Sequence, residues 1–399
     1  MRLEAERGYQ STAGHDPTKF YEEVSSLGGV VWDDSVSGWL VTSHAHVSEV
    51  LQNEGLYKTT DWQRPAGTAL VRGTGRRLET VTGRDLERLH NIMIRPLDPR
   101  TCELHRVNTV GPILNSELRR MRDRNAWELG GNFCEVLPMR IGCALLGLGD
   151  DEDLIAKVRE LHKPIRRWMD SLGDDADVVA EAARAFAGVR EMFMPTVLQC
   201  RDNRRDDIIS KMWELGLATF SDWNEEDTFL SCWDHYFGGE IPSLLRNMIH
   251  GLLVEPAMRE KVISTPEPYL AHYVEESVRV TGVVHWQIRV VAEDCVLGEQ
   301  AIARGDKVFA LIAAANRDGS HFKCPHTINL DSAPPKDHVG FGRGPRYCAG
   351  RHLVRVEAYE AVLGIFRAFP RMSLDANCPP PVLSGFHARS YAPLHVSVT

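Results

Sequence analysis

The chain has 399 residues, 43% of them hydrophobic and 25% charged, with a formal net charge of −9 at neutral pH. That is the composition of an ordinary globular protein. The acidic balance argues against a nucleic-acid partner, and no run approaches eighteen consecutive apolar residues, so no membrane span is expected. The polar opening, Met1 to Gln10, reads as neither a signal peptide nor an anchor. Nine cysteines, an odd number without a C-x-x-C pair, point to a reduced, cytoplasmic setting rather than to disulfides or zinc. No Pro/Gly/Ser-rich linker, repeat or low-complexity run divides residues 1–399, which predicts one large domain.

In chain order the pattern is mostly helical. Asp16-Pro17 opens a helix running to about Leu27. Val30–Trp32 and Trp39–Thr42 read as strands joined by a polar turn, and Ser43 caps a helix to about Asn53. Residues 58–82, rich in Gly, Thr and Arg, form a long loop, a feature that is often functional. Helical periodicity then recurs over 84–95, 105–123, 132–147, 151–171, 177–201, 207–218, 224–254, 256–263 and 267–280. From 284 to 330 the character changes to short strands, such as Ile288–Val291 and Val308–Ile312, broken by Gly298 and Gly305. A β-like tail follows Pro379. The fold class is mainly α with a small β subdomain.

One segment carries chemistry. Residues 341–350 read Phe341-Gly-Arg-Gly-Pro-Arg-Tyr-Cys348-Ala-Gly350. Gly342 and Gly344 let the chain turn where side chains would clash, and Gly350 leaves room for a flat ligand against the backbone. After Cys348, apolar residues at Leu353, Val356, Tyr359, Leu363 and Phe366 predict a helix packed on a core. A thiolate at a helix N-terminus is stabilised by exposed N–H groups and the positive dipole end. Cys348 is therefore a candidate metal ligand.

This segment resembles the haem-binding signature of the cytochrome P450 family. The resemblance covers the chain from about residue 16 to the end. It implies the family's fold, with haem between a long distal helix and a Cys-bearing proximal loop. It also implies haem b (iron protoporphyrin IX) ligated by Cys348, with Phe341, Gly342 and Gly350 shaping the loop. Glu276 and Arg279 match the family's Glu-x-x-Arg pair, which locks the core on the cysteine side. The third Arg often added to that lock is replaced by Thr327. Arg289, just ahead of Glu293-Asp294, and Arg346 match the residues that hold haem propionates. The family also uses a His and an Arg four apart on a helix. Here Leu86 and His90 occupy those positions, so His90 can donate to a propionate and Leu86 cannot.

The distal segment departs from the family. An Ala-Gly-x-(Asp/Glu)-Thr element normally relays protons to the dioxygen being reduced. The matching stretch is Tyr236-Phe-Gly-Gly-Glu240-Ile-Pro-Ser243, and the Thr is absent in both possible registers. Pro242 lacks an N–H and crowds the carbonyl four residues back, so the helix should bend or open there, with Gly238-Gly239 absorbing the change. We expect Glu240 and ordered water to replace the Thr relay. The resemblance also places Trp62, Arg64, Phe237, Gly238, Val283, Val284, His285, Phe386 and His387 around a substrate pocket suited to a flat aromatic or nitrogen-bearing molecule.

Arg343, Arg351, His352 and Arg355 make a basic patch on an acidic protein, a dock for an acidic ferredoxin supplied by a ferredoxin reductase. The expected function is a haem-thiolate oxidase that activates dioxygen to oxidise a small-molecule substrate of specialised metabolism, by hydroxylation or by oxidative C–C or C–N coupling. The alternative is a haem-thiolate protein that does not use dioxygen, acting as an isomerase, dehydratase or ligand sensor. A binding module without haem is the remote option.

Overall fold

A computed structural model describes residues 2–9, 17–59, 73, 75–122, 126–171, 175–236 and 240–398. Helices dominate and the strands are short, as the sequence pattern predicts. The chain folds into two compact units.

The first unit takes Met1–Gln63, His250–Cys348 and Pro381–Ala392. Its centre is a six-stranded sheet in the order Arg2–Leu3, Val30–Asp33, Gly38–Val41, Lys307–Ala310, Gln287–Val291, Tyr57–Lys58. The first hairpin pairs Val30 with Val41 and Asp33 with Gly38, as the two apolar runs and the polar turn between them dictate. Ser43 caps the His44–Gln52 helix by accepting from the His46 N–H at 3.3 Å. Val47, Val50 and Leu51 from that helix pack with Val30, Val41, Val308 and Ile312 in one buried cluster. The Pro266–Thr281 helix stops at Gly282, whose left-handed φ of 53° suits a residue without a Cβ.

The second unit takes Arg64–Ile249, Ala349–Pro380 and Pro393–Thr399. The long helices Glu152–Asp170 and Ala176–Asp202 pack on one another, and Ile208–Thr219 and Glu225–Tyr236 join them. The Arg351–Ala368 helix lies against Gly111–Met121, where a Cβ on Gly364 would stand 2.8 Å from Leu114. A small sheet pairs Ser373–Leu374, His395–Ser397 and Ala126–Glu128.

Three differences from the sequence reading have physical causes. The helix expected from 105 starts at Pro99, because Asp98 caps it by accepting from the Thr101 N–H at 2.9 Å. It continues through a wider turn at Arg106–Val110 to Met121, and the missing N–H of Pro112 accounts for the local change of pitch. The strand Ala126–Glu128 was not visible in periodicity, because three residues are too short to show an alternation. The helix expected over 224–254 is two, Glu225–Tyr236 and Ile241–Val254, with Glu240 non-helical. Pro242 therefore sits in the first turn of a new helix, where its missing N–H costs nothing.

Candidate haem and active site

The cysteine loop is held by its own backbone. The Cys348 N–H donates to the Phe341 carbonyl at 2.7 Å, Gly342 N–H to Val339 at 2.9 Å, and Tyr347 N–H to Gly344 at 3.2 Å. Gly342 and Gly344 adopt φ of 72° and 75°, the left-handed region that disfavours side chains. At Gly344 space is a second constraint, since a Cβ would lie 2.8 Å from both the Leu51 carbonyl oxygen and the Gln52 Cα. Cys348 is half-buried and forms no disulfide. Two residues on, Gly350 is the N-cap of the Arg351–Ala368 helix, and its carbonyl accepts from Val354 at 3.0 Å.

Glu276 and Arg279 are 3% and 2% exposed and pair through two bonds, Nε to Oε1 at 2.8 Å and Nη2 to Oε2 at 2.9 Å. The lock does not depend on an Arg at position 327. Arg279 donates directly to the carbonyls of Asn316, Cys324, Pro325 and Thr327 at 2.9–3.0 Å, and Glu276 accepts from the Asn329 N–H. Thr327 serves through its backbone.

Arg289 is buried on the Gln287–Val291 strand and gives Nη1 to the Ile288 carbonyl at 2.8 Å. Arg346 donates through Nη2 to Glu54, a nearly buried carboxylate absent from the sequence reading. On the Gly83–Ile94 helix, Leu86 and His90 are both buried.

Glu240 is held by Arg166 of the Glu152–Asp170 helix, which also contacts Asp170 at 3.3 Å. Burial lowers the Arg166 pKa, but the two carboxylates outweigh it, and the net direction is up. The Ser243 hydroxyl donates to Glu240 Oε2 at 3.4 Å. The result is an acid beside a buried hydroxyl, spaced three residues apart. Ser243 had no weight in the sequence reading, because the expected hydroxyl sits directly beside the acid. Arg166 was equally hidden, being a partner 74 residues away.

Val283, Val284, His285, Phe386 and His387 come together. The His285 N–H donates to the His387 carbonyl at 2.9 Å, Arg389 N–H to Val283 at 3.1 Å, and Val284 bridges Ala388. Trp286 packs on Phe386 and His387, with ring centroids 5.7 and 4.5 Å apart. His285 is 1% exposed, its Nδ1 2.6 Å from the Tyr21 hydroxyl. Burial, reinforced by the charges of Arg389 and Arg317, holds its imidazole neutral, well below the usual range. Trp62, Arg64, Phe237 and Gly238 lie outside the described residues. Of the basic residues, Arg343 pairs with Asp337, while Arg351, His352 and Arg355 lie half-buried on the helix after the cysteine. Among the described residues no helix is long and apolar enough to cross a membrane.

A family model described as Cytochrome P450 matches residues 267–390. Over 384 residues the chain is 24% identical to the putative cytochrome P450 YjiB of Bacillus subtilis, covering 93% of this chain and 92% of that one. It is 27% identical to pentalenolactone synthase of Streptomyces exfoliatus over 348 residues, 84% of each. The solved structure of P450BioI with a hexadecenoyl acyl carrier protein superposes with a TM-score of 0.85 at 20% identity, covering 96% of this chain and 98% of that one. The cysteine loop, the architecture and these relatives agree: residues 267–390 match the cytochrome P450 model, and the chain has the fold of the cytochrome P450 structures it superposes on.

Proposed function

We propose that this protein is a haem-thiolate oxidase that activates dioxygen to oxidise a small organic molecule in specialised metabolism, by hydroxylation or by oxidative C–C or C–N coupling. The observation that carries the reading is Cys348 itself, a cysteine outside any disulfide whose backbone is fixed by a hydrogen bond in a glycine-shaped loop. The likeness to cytochrome P450 proteins supports a haem-iron cofactor, and the residues fit one. A cysteine sulfur suits iron, and the buried guanidinium of Arg289 and the nearly buried one of Arg346 suit propionates. In this reading Cys348 ligates the iron of haem b. Phe341, Gly342 and Gly350 shape the loop, and Arg289, Arg346 and His90 hold the carboxylates. Bound haem supplies the iron centre at which dioxygen is reduced and substrate oxidised.

The chain's own contribution on the distal side is proton handling. Glu240 is the proposed catalytic acid, with Ser243 as its hydroxyl neighbour and Arg166 fixing the carboxylate. A relay built this way passes the proton along Ser243 Oγ and Glu240 Oε2 with ordered water, in place of the missing Thr. The pocket is proposed to include Trp62, Arg64, Phe237, Gly238, Val283, Val284, His285, Phe386 and His387. Of these, His285 stays neutral and acts by shape and hydrogen bonding. Pentalenolactone synthase, a relative by sequence, supports a specialised-metabolite substrate. We assign electron delivery to a cytoplasmic ferredoxin and its reductase, docking on Arg351, His352 and Arg355. No linker-like run divides residues 1–399, which supports reading the chain as a single catalytic domain.

The test is a carbon-monoxide difference spectrum of the reduced holoprotein, followed by turnover with a ferredoxin system and product mass. A red-shifted thiolate band with a product heavier by one oxygen supports hydroxylation. Loss of two hydrogens supports coupling. A thiolate band with turnover that needs no reductant would favour an isomerase or dehydratase instead.

A further inference from the structure

Glu275 and Glu276 are neighbours on the Pro266–Thr281 helix, and each holds a different partner. Glu276 pairs with Arg279. Glu275 reaches His338, a residue the haem reading does not use, with Oε2 3.2 Å from Nε2. The His338 side chain is 4% exposed and that of Glu275 19%. On the other side of the ring, His338 Nδ1 accepts from the Gly340 N–H at 3.1 Å. An amide N–H only donates, so Nδ1 carries the lone pair, and the proton of the neutral ring sits on Nε2, facing the carboxylate. The two bonds select the same tautomer.

The imidazole holds the entry to the cysteine loop. Gly340 precedes Phe341, whose carbonyl accepts from the Cys348 N–H at 2.7 Å. The His338 and Phe341 ring centroids are 5.7 Å apart. Gly340 is seated against the helix that carries Glu275: a Cβ there would stand 2.5 Å from Val278 Cγ1 and 3.0 Å from the Val278 carbonyl oxygen. Between His338 and Gly340, Val339 is fully buried, and its N–H donates to Asn316 Oδ1 at 2.7 Å. A continuous path of contacts thus runs from Glu275 through His338, Gly340 and Phe341 to the Cys348 backbone, all within the first unit.

We propose that His338 is a positioning residue for Cys348, acting through Gly340 and Phe341, with Glu275 selecting its tautomer. Groups that orient a metal ligand from behind hold it in the geometry its metal needs. The proposal rests on the haem reading above, and the experiment separates the two. Reduced holoproteins of wild type, His338→Leu, His338→Asn and Glu275→Leu are held under carbon monoxide in urea, each at the same interval below its own unfolding midpoint, so that differences in global stability drop out. Decay of the red-shifted band reads loss of thiolate ligation, and circular dichroism checks that the helices stay folded.

Leucine fills much of the ring's volume but accepts no hydrogen bond. Asparagine is smaller, yet its Oδ1 can stand where Nδ1 stood. His338→Leu should therefore lose the thiolate band roughly 10-fold faster than wild type. His338→Asn should stay close to wild type, and Glu275→Leu should fall between. Equal decay in wild type and His338→Leu would overturn the proposal. So would a His338→Asn protein that decays as fast as His338→Leu or faster, since that order marks packing rather than a hydrogen bond. Glu275→Leu decaying as wild type would overturn the tautomer selection. A wild type with no thiolate band at all would overturn the haem reading, and this proposal with it.

Discussion

The cysteine loop and the Glu240 segment are specified in opposite ways. In the loop, the path around the cysteine is set by the backbone, through three main-chain hydrogen bonds, two left-handed glycines and a Gly344 pressed against the chain at Leu51 and Gln52, with Arg343–Asp337 and Arg346–Glu54 added as side-chain pairs. Around Glu240 the described constraints are side-chain contacts, an ion pair to Arg166 and a hydroxyl bond from Ser243, placed at the start of a helix that Pro242 helps to open. Backbone constraints leave glycines at fixed places in a sequence, whereas side-chain pairs over long separations leave no local mark. The first kind of site is therefore readable from a single sequence, and the second is not.

The comparison breaks most directly at Cys348. Cys348→Ser keeps the size and the loop's hydrogen bonds but removes the sulfur. The reduced carbon-monoxide spectrum should lose its red-shifted band, and turnover should fall to background. The next largest effect contrasts the loop's two glycines. Gly344→Ala must force both a left-handed φ and two contacts at 2.8 Å with backbone atoms, a cost of about 2–4 kcal/mol. Gly342→Ala meets nothing nearer than 3.7 Å, so it should cost only the left-handed strain, about 1–2 kcal/mol. Urea unfolding of the two holoproteins measures the gap. Equal losses would mean that the Gly344 contact does not constrain the loop.

The same contrast explains what could be read from the residues alone. The cysteine loop, the Glu276–Arg279 pair and the first hairpin were legible because each is local in the chain. The break before Ile241 was anticipated from Pro242, although the residues either side of it still looked like one periodic run. Asp98 was missed as a helix start, although Asp-Pro is a recognisable local cap. Arg166, Glu54 and the carbonyl cage around Arg279 were not legible in principle. Each depends on which distant segment folds back, and an Arg or Glu on an ordinary helix gives no sign of its partner.

On the distal side the expected effect is smaller, because water can partly substitute for a side chain. Glu240→Gln keeps the shape and a hydrogen bond to Ser243 but cannot give up and regain a proton. Coupled product formation should drop roughly 10- to 100-fold while reductant consumption continues and peroxide accumulates. Ser243→Ala should show the same signature more weakly. Arg166→Lys keeps the charge and should largely preserve coupling. Product and peroxide yield per reductant distinguish these outcomes. Unchanged coupling in Glu240→Gln would remove Glu240 from the mechanism.

The smallest effect is a pH dependence that reaches the cysteine loop through the first unit. His44 is 5% exposed, its Nε2 2.8 Å from the Asp337 carbonyl and its ring stacked on His321 at 3.6 Å. Burial, and then the nearby charges of His321 and Arg343, push its pKa down to about 4. The unfolded chain titrates this group near 6.5. Between those values the unfolded state binds more protons than the folded one. Stability is therefore full above pH 6.5 and falls as the pH drops towards 4, by less than about 1.4 kcal/mol per pH unit. His44 begins the helix that ends at Gln52, the residue pressed against Gly344, so acid strain at His44 is delivered to the loop that carries Cys348. His44→Phe keeps a stacked ring but cannot titrate. It should cost about 1 kcal/mol at pH 8 through the lost hydrogen bond, and its stability curve should meet and then cross that of wild type as the pH falls from 6.5 to 4. Urea unfolding across that range, read together with the thiolate band, checks both the sign and the route. Parallel curves for the two proteins would show that His44 does not set the acid response.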